Sequence, residues 1–129
     1  MVWIACVADN MGLRFGGRRC SRDKEVTKEI LTRCSGRLCV NRSAGSLFPA
    51  GTVEAVDTPQ GDFCYWESPV PESVLPEKII LYCWNRAYPA DEFFAFPGGE
   101  AHWKLQEEGD FSGFSHERIT RRVYIRKEA

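Results

Sequence analysis

The sequence predicts a small α/β domain built on a mixed, mostly parallel sheet, with one principal helix and a C-terminal β-hairpin. Three features carry that expectation. The chain opens on an unbroken apolar run, Val2 to Ala8, followed by a polar loop and a helical pattern. Ile79 to Trp84 is apolar on both faces, as suits a central strand covered on two sides. Ile119 to Arg126 alternates apolar with basic residues, which suits an outer strand with one wet face. At 129 residues the chain is expected to form one domain, 1–129, with a core that needs no disulfide.

Composition narrows the function classes. Lys and Arg number 17 against 18 Asp and Glu, a net charge of -1. That balance gives no field for nucleic acid or a membrane surface. The expected partner is a small anionic or heterocyclic ligand, with a protein partner left open. No apolar run approaches the roughly 20 residues that span a bilayer. Met1 to Ile4 carry no basic stretch of a secretory signal, and Cys6, Cys39, Cys64 and Cys83 sit in apolar, strand-like segments. The six cysteines are therefore expected to be free thiols in a reducing cytoplasm. With no Cys-x-x-Cys and no paired histidines, no metal site is expected.

Along the chain, Val2 to Ala8 reads as the first strand and residues 9–21 as a loop. Ser21 is a good N-cap for a helix over 22–33, where Val26, Ile30 and Arg33 recur at helical spacing and Leu31 widens the stripe. Ser35-Gly36 ends that helix, and Arg37 to Asn41 is a short strand. Arg42 to Ser46 is a polar turn that leads a short helix into Leu47-Phe48, stopped by Pro49. Val53 to Val56 and Phe63 to Trp66 are further strands. Prolines 69, 71 and 76 leave room for only a short helix in the connector 68–76. After Ile79 to Trp84 comes an acidic-aromatic stretch, Asp91 to Phe94; a strand then starts at Trp103, a turn falls over Gly109 to Gly113, and Ile119 to Arg126 closes the hairpin.

Several stretches in this order resemble the dihydrofolate reductase family, in a shortened and divergent form. Ile4-Ala5, Asp9, Gly12 and, eleven positions later, Asp23 are similar to that family's first strand, mobile substrate loop and active-site carboxylate. Leu38 to Ser43 is similar to the strand and Gly-Arg-x-Thr turn that holds cofactor phosphate. Lys78 to Tyr82, Asp91 to Phe96, Trp103, Ser115-His116 and Val123-Tyr124 resemble its last three strands. The resemblance implies a fold of dihydrofolate reductase type, with Asp23 as the catalytic group. It also implies Ile4, Ala5 and Tyr82 on the substrate side, where the loop arginines Arg14, Arg18 and Arg19 are expected from their own clustering, and Asn41, Arg42 and Ser43 on cofactor phosphate. NADPH would be the family's cofactor. Yet no glycine stands at Trp66-Glu67-Ser68, where the family's pyrophosphate-bearing Gly-Gly pair would fall. Asn41 replaces the glycine of the phosphate turn, and the loop lacks the family's Pro-Trp. The cofactor is therefore unassigned.

The residues admit two readings each. Asp23 is either a carboxylate that pairs with an amidine-like edge through two parallel hydrogen bonds, or an acid in a first helical turn favoured by the helix dipole. Arg14, Arg18, Arg19 and Arg22 around Gly16-Gly17 are either a clamp for a phosphate or carboxylate, or a solvated loop. Asn41, Arg42, Ser43 and Ser46 lie at a strand end that is either a ligand crevice or a polar turn. Trp66, Trp84 and Trp103 read as core, with Trp84 able to reach the crevice. Three functions follow: a reductase or related enzyme acting on a pterin-like or nucleotide-like heterocycle; a binding or interaction domain that has lost the cofactor site; or a metal-independent ribonuclease built on His116 with Arg118, Arg121, Arg122 and Glu107 or Glu108.

Overall fold

The first strand is buried along its whole length, and its alternation sorts the core into two layers. In the computed structural model, which describes residues 1–35 and 37–127, it is β1 (Val2–Val7). There follow β2 (Gly12–Phe15), β3 (Arg18–Arg19), α1 (Lys24–Cys34), β4 (Leu38–Asn41) and a 3-10 turn over Arg42–Leu47. Then come β5 (Val53–Val56), β6 (Phe63–Tyr65), β7 (Lys78–Cys83), β8 (Glu92–Phe93), a second 3-10 turn over Glu100–His102, β9 (Trp103–Phe111) and β10 (Ile119–Arg126).

Seven strands form the main sheet in the order β5-β4-β6-β1-β7-β10-β9. Pairing is parallel from β5 through β7, and antiparallel where β10 meets β7 and β9. This is the mixed sheet with a C-terminal hairpin that the apolar runs predict. Val2, Ile4 and Cys6 face α1, which meets them with Val26, Ile30 and Cys34, spaced one turn apart. Trp3, Ala5 and Val7 face the other way, onto Leu13, Phe94 and Trp103. Among the described residues, that second layer contains no α-helix. It is built from the small sheet β3-β2-β8 and the aromatic chain after it, with Trp3 and Phe94 ring centroids 4.8 Å apart.

Several expectations are corrected. The loop 9–21 contains the β2–β3 hairpin, turning at Gly16 (φ 58) and Gly17 (φ 78). Two successive positive φ values match the twist of a tight hairpin and favour glycine. The N-cap is Asp23 rather than Ser21: its backbone is extended and its side chain accepts from the Glu25 N–H. The helix therefore begins two residues late and runs to Cys34, with Ser35 left-handed beyond it; the expected stop at Gly36 lies outside the described residues. β10 is an interior strand, because β9 continues to Phe111 through the expected turn and pairs along its full length. Arg121 and Arg122 are matched across the ladder by Glu107 and Glu108 of β9, the latter pair at 2.7 Å. On this side the sheet edge is the charged strand β9, which discourages further pairing.

Phe63–Tyr65 ends one residue before the expected Trp66, and the connector 68–76 is irregular. No helix among the described residues is long and apolar enough to cross a membrane. The carboxyl ends of β1, β4 and β6 point the same way, and the loops after them make a crevice at one end of the sheet.

Candidate functional site

At that end the chain places the β2–β3 hairpin over the segments that follow β4 and β6. Asp91 holds the hairpin tip by accepting from the Gly16 N–H at 3.1 Å. Between these pieces lies a cavity of about 550 Å³ lined by Arg14, Gly17, Arg18, Arg19, Ser21, Arg22, Ser43 and Glu67. Four guanidinium groups face one carboxylate there, so the cavity carries an excess of positive charge. Arg18 and Arg22 are exposed and have no carboxylate partner among the described residues.

The floor is fixed by Glu67, whose side chain is 5% exposed. Arg19 reaches it with two N–H donors, Nε at 2.8 Å and Nη2 at 3.2 Å, and Nη2 also donates to the Ser43 carbonyl at 2.7 Å. Tyr65 Oη donates to Glu67 from 3.2 Å, and burial pushes that phenol well up, so it stays a donor. The Glu67 N–H donates to Asn41 Oδ1, and Asn41 Nδ2 donates to Ser43 Oγ. Bidentate pairing is what allows a carboxylate to be buried here. Arg14 is held by Ser68 Oγ and the Gly17 carbonyl.

Asp23 lies outside this cavity and lines a neighbouring one with Arg22, Phe114 and Ser115. Its Oδ1 accepts from the N–H groups of Glu25 and Phe114, at 2.9 and 2.8 Å. Its Oδ2 accepts from Ser115 N–H (2.8 Å) and Ser115 Oγ (3.2 Å), and lies 3.0 Å from His116 Nδ1. Burial alone would raise this carboxyl, but hydrogen bonds from Phe114, His116, Ser115 and Glu25 outweigh it and hold the group well below the usual carboxylate range. Both oxygens are thus engaged by protein donors. His116 is buried, stacked on Trp84 with centroids 4.7 Å apart, and its Nε2 lies 3.2 Å from both Ser21 Oγ and Tyr88 Oη. With Nδ1–H donated to Asp23, Nε2 offers one lone pair, with the Ser21 and Tyr88 hydroxyls both in reach of it.

Gly113 makes this approach possible. A Cβ at that position would stand 2.7 Å from both Asp23 Oδ2 and the His116 carbonyl. Gly113→Ala is expected to cost about 2 kcal/mol through forced separation of the two segments, read as a lower urea midpoint at unchanged slope.

Of the residues singled out from sequence, Arg14, Arg18, Arg19 and Ser43 come together on the cavity. Asn41 braces it from beneath. Arg42 turns away and pairs with Asp57 on the surface at 3.0 Å. Ile4, Ala5 and Tyr82 are wholly buried within β1 and β7. The ribonuclease set is not gathered: Arg118 pairs with Asp110, Arg121 with Glu29 and Glu107, and Arg122 with Glu108, while His116 points inward. Glu67, Tyr88, Gly113 and the contact of the Ser21 hydroxyl with His116 are additions. Glu67 carried a signal, as an acid directly after a strand of the sheet; the meeting of Ser21 and Asp23 with His116 across more than ninety positions had none.

The residues after β6 do not fit a dinucleotide. A pyrophosphate resting there needs bare backbone, and Trp66 and Glu67 bring a bulky ring and a buried negative charge instead.

No family model matches the sequence, and no curated protein matches it. Among solved structures, the chain is similar to a dihydrofolate reductase from Enterococcus faecalis complexed with NADP(H) and RAB-propyl. The TM-score is 0.63 at 9% identity, covering 98% of this chain and 96% of that one. The fold is therefore of dihydrofolate reductase type over essentially the whole chain.

Proposed function

We propose that this chain is a small-ligand binding domain on a reductase-type fold, whose arginine cleft takes a compact anion bearing phosphate or carboxylate, without a dinucleotide cofactor. One observation carries this reading: the four-arginine cavity lies at the carboxyl end of the parallel strands, with Arg18 and Arg22 free to meet a ligand. The guanidinium fork matches either oxyanion in a bidentate way. Glu67 and Asn41 hold Arg19 and Ser43 in place, so part of the site is organised before ligand arrives.

The reductase reading asks Asp23 to pair with a heterocycle. Such a ligand would have to displace the N–H groups of Phe114 and Ser115, which favours an anchoring role for this carboxylate. The binding reading is tested by calorimetric titration with inorganic pyrophosphate at low salt. Binding tighter than about 1 mM is expected, weakening as salt is added. In Arg18→Ala/Arg22→Ala the affinity falls about tenfold or more, since two charge-assisted contacts are lost. Arg37→Ala, paired with Asp62 elsewhere on the surface, leaves it unchanged. Absence of binding by the wild-type protein overturns the reading.

A further inference from the structure

We propose that Ser21, His116 and Asp23 form a hydrolytic triad opening into the arginine cleft, and that its substrate is a carboxylic ester carrying a second, anionic group. This rests on the reading of the cleft as an anion site. The geometry is that of a nucleophile, a base and an orienting acid. Ser21 Oγ lies 3.2 Å from His116 Nε2, and His116 Nδ1 lies 3.0 Å from Asp23 Oδ2. Such a constellation is recognised by geometry and roles, not by chain order or fold.

The surroundings sort the three roles. His116 and Asp23 are buried, and the Trp84 ring and the Ser115 hydroxyl fix the imidazole from two sides. Ser21 alone of the three lines the arginine cavity, between Arg19 and Arg22 in the chain's approach to α1. Ser21 thus borders the ligand space while the His116 ring behind it is 4% exposed. Tyr88 Oη is the one other hydroxyl on Nε2, and it is not among the groups lining the cavity. Asp23 is a positioning residue: it fixes the tautomer that leaves Nε2 as acceptor.

In the reaction, the anionic group of the ester sits on Arg18 and Arg22. Ser21 Oγ attacks the acyl carbon, and its proton passes to His116 Nε2. The bond from the acyl carbon to the alcohol oxygen breaks, and the leaving alcohol takes that proton. Water then attacks the acyl-serine, giving its proton to Nε2; the acid departs and Ser21 Oγ regains the proton. One ester and one water yield one acid and one alcohol.

The test uses the full chain with mono-4-nitrophenyl succinate as anionic ester and 4-nitrophenyl butyrate as neutral control. The anionic ester is expected to react about tenfold faster or more, and Ser21→Ala to lose about a hundredfold or more while keeping its circular dichroism and melting temperature. A fluorophosphonate is expected to label Ser21, located by peptide mass, with pyrophosphate protecting. The removal of one hydroxyl at a half-exposed position makes Ser21→Ala a variant that keeps the fold. If Ser21 remains unlabelled and the wild type hydrolyses no faster than Ser21→Ala, the triad is wrong. Should pyrophosphate still bind in that case, the anion cleft stands and the triad alone falls.

Discussion

Replacing Asp23 by alanine is expected to cost about 3–5 kcal/mol of folding stability, the largest effect of any polar substitution in the cleft region. The carboxylate is fully buried and gathers donors from Glu25, Phe114, Ser115 and His116. Alanine leaves the Phe114 and Ser115 N–H groups without their acceptor and removes the helix cap as well. Loss of the cap alone is worth about 1 kcal/mol. The connection between β9 and β10 is joined to α1 at this point, so the hairpin end is expected to loosen with it. The same group makes stability depend on pH. Its folded-state pKa lies below the ordinary value of 3.8. Its contribution is therefore fully present above that value and is lost as the pH falls through and below it. Urea titrations at several pH values check both points. Wild type should lose stability steeply in the acid range, and Asp23→Ala should start lower and show a flatter acid dependence.

Glu67→Ala is expected to destabilise by about 2–4 kcal/mol, because it strands a cation and a phenol together. Arg19 is 24% exposed, so part of its charge can recover water, which places the cost below that of Asp23. Glu67→Gln keeps the shape and an acceptor for Arg19 and is expected to cost about 1–2 kcal/mol. It also removes the one negative charge of the cleft. Pyrophosphate affinity should then rise about fivefold, since one unit of like charge across a few ångströms of solvent is worth about 1 kcal/mol. Stability falls while affinity rises. A purely structural role for Glu67 would lower both, so paired unfolding and calorimetry on Glu67→Gln separates the two.

The parts of the fold set by hydrophobic pattern are legible in the sequence. Val2 to Val7 and Lys78 to Cys83 are neighbours at the sheet centre because both faces are apolar. The helix is legible from Val26 and Ile30. What the pattern conceals is pairing that depends on distant partners. The basic residues of Ile119 to Arg126 look solvated until Glu107 and Glu108 are placed opposite them. Ser21 and Asp23 are both good caps, and only the donors at 113–116 decide in favour of Asp23. The same holds for the cleft. The cluster Arg14, Arg18, Arg19 and Arg22 is visible in sequence, but its floor, Glu67, is read there only as a missing glycine. Ile4, Ala5 and Tyr82 follow from family resemblance, and their side chains are core.

The central claim is that a reductase-type fold here presents an anion cleft in place of a dinucleotide cradle. The most direct test compares NADPH with inorganic pyrophosphate in the same titration, followed by tryptophan fluorescence and calorimetry. If the nicotinamide and adenine halves gain no contacts, the two dissociation constants should agree within about threefold, and each should displace the other. NADPH binding about a hundredfold tighter than pyrophosphate, a difference of about 2.7 kcal/mol, would contradict the claim and restore the cofactor site.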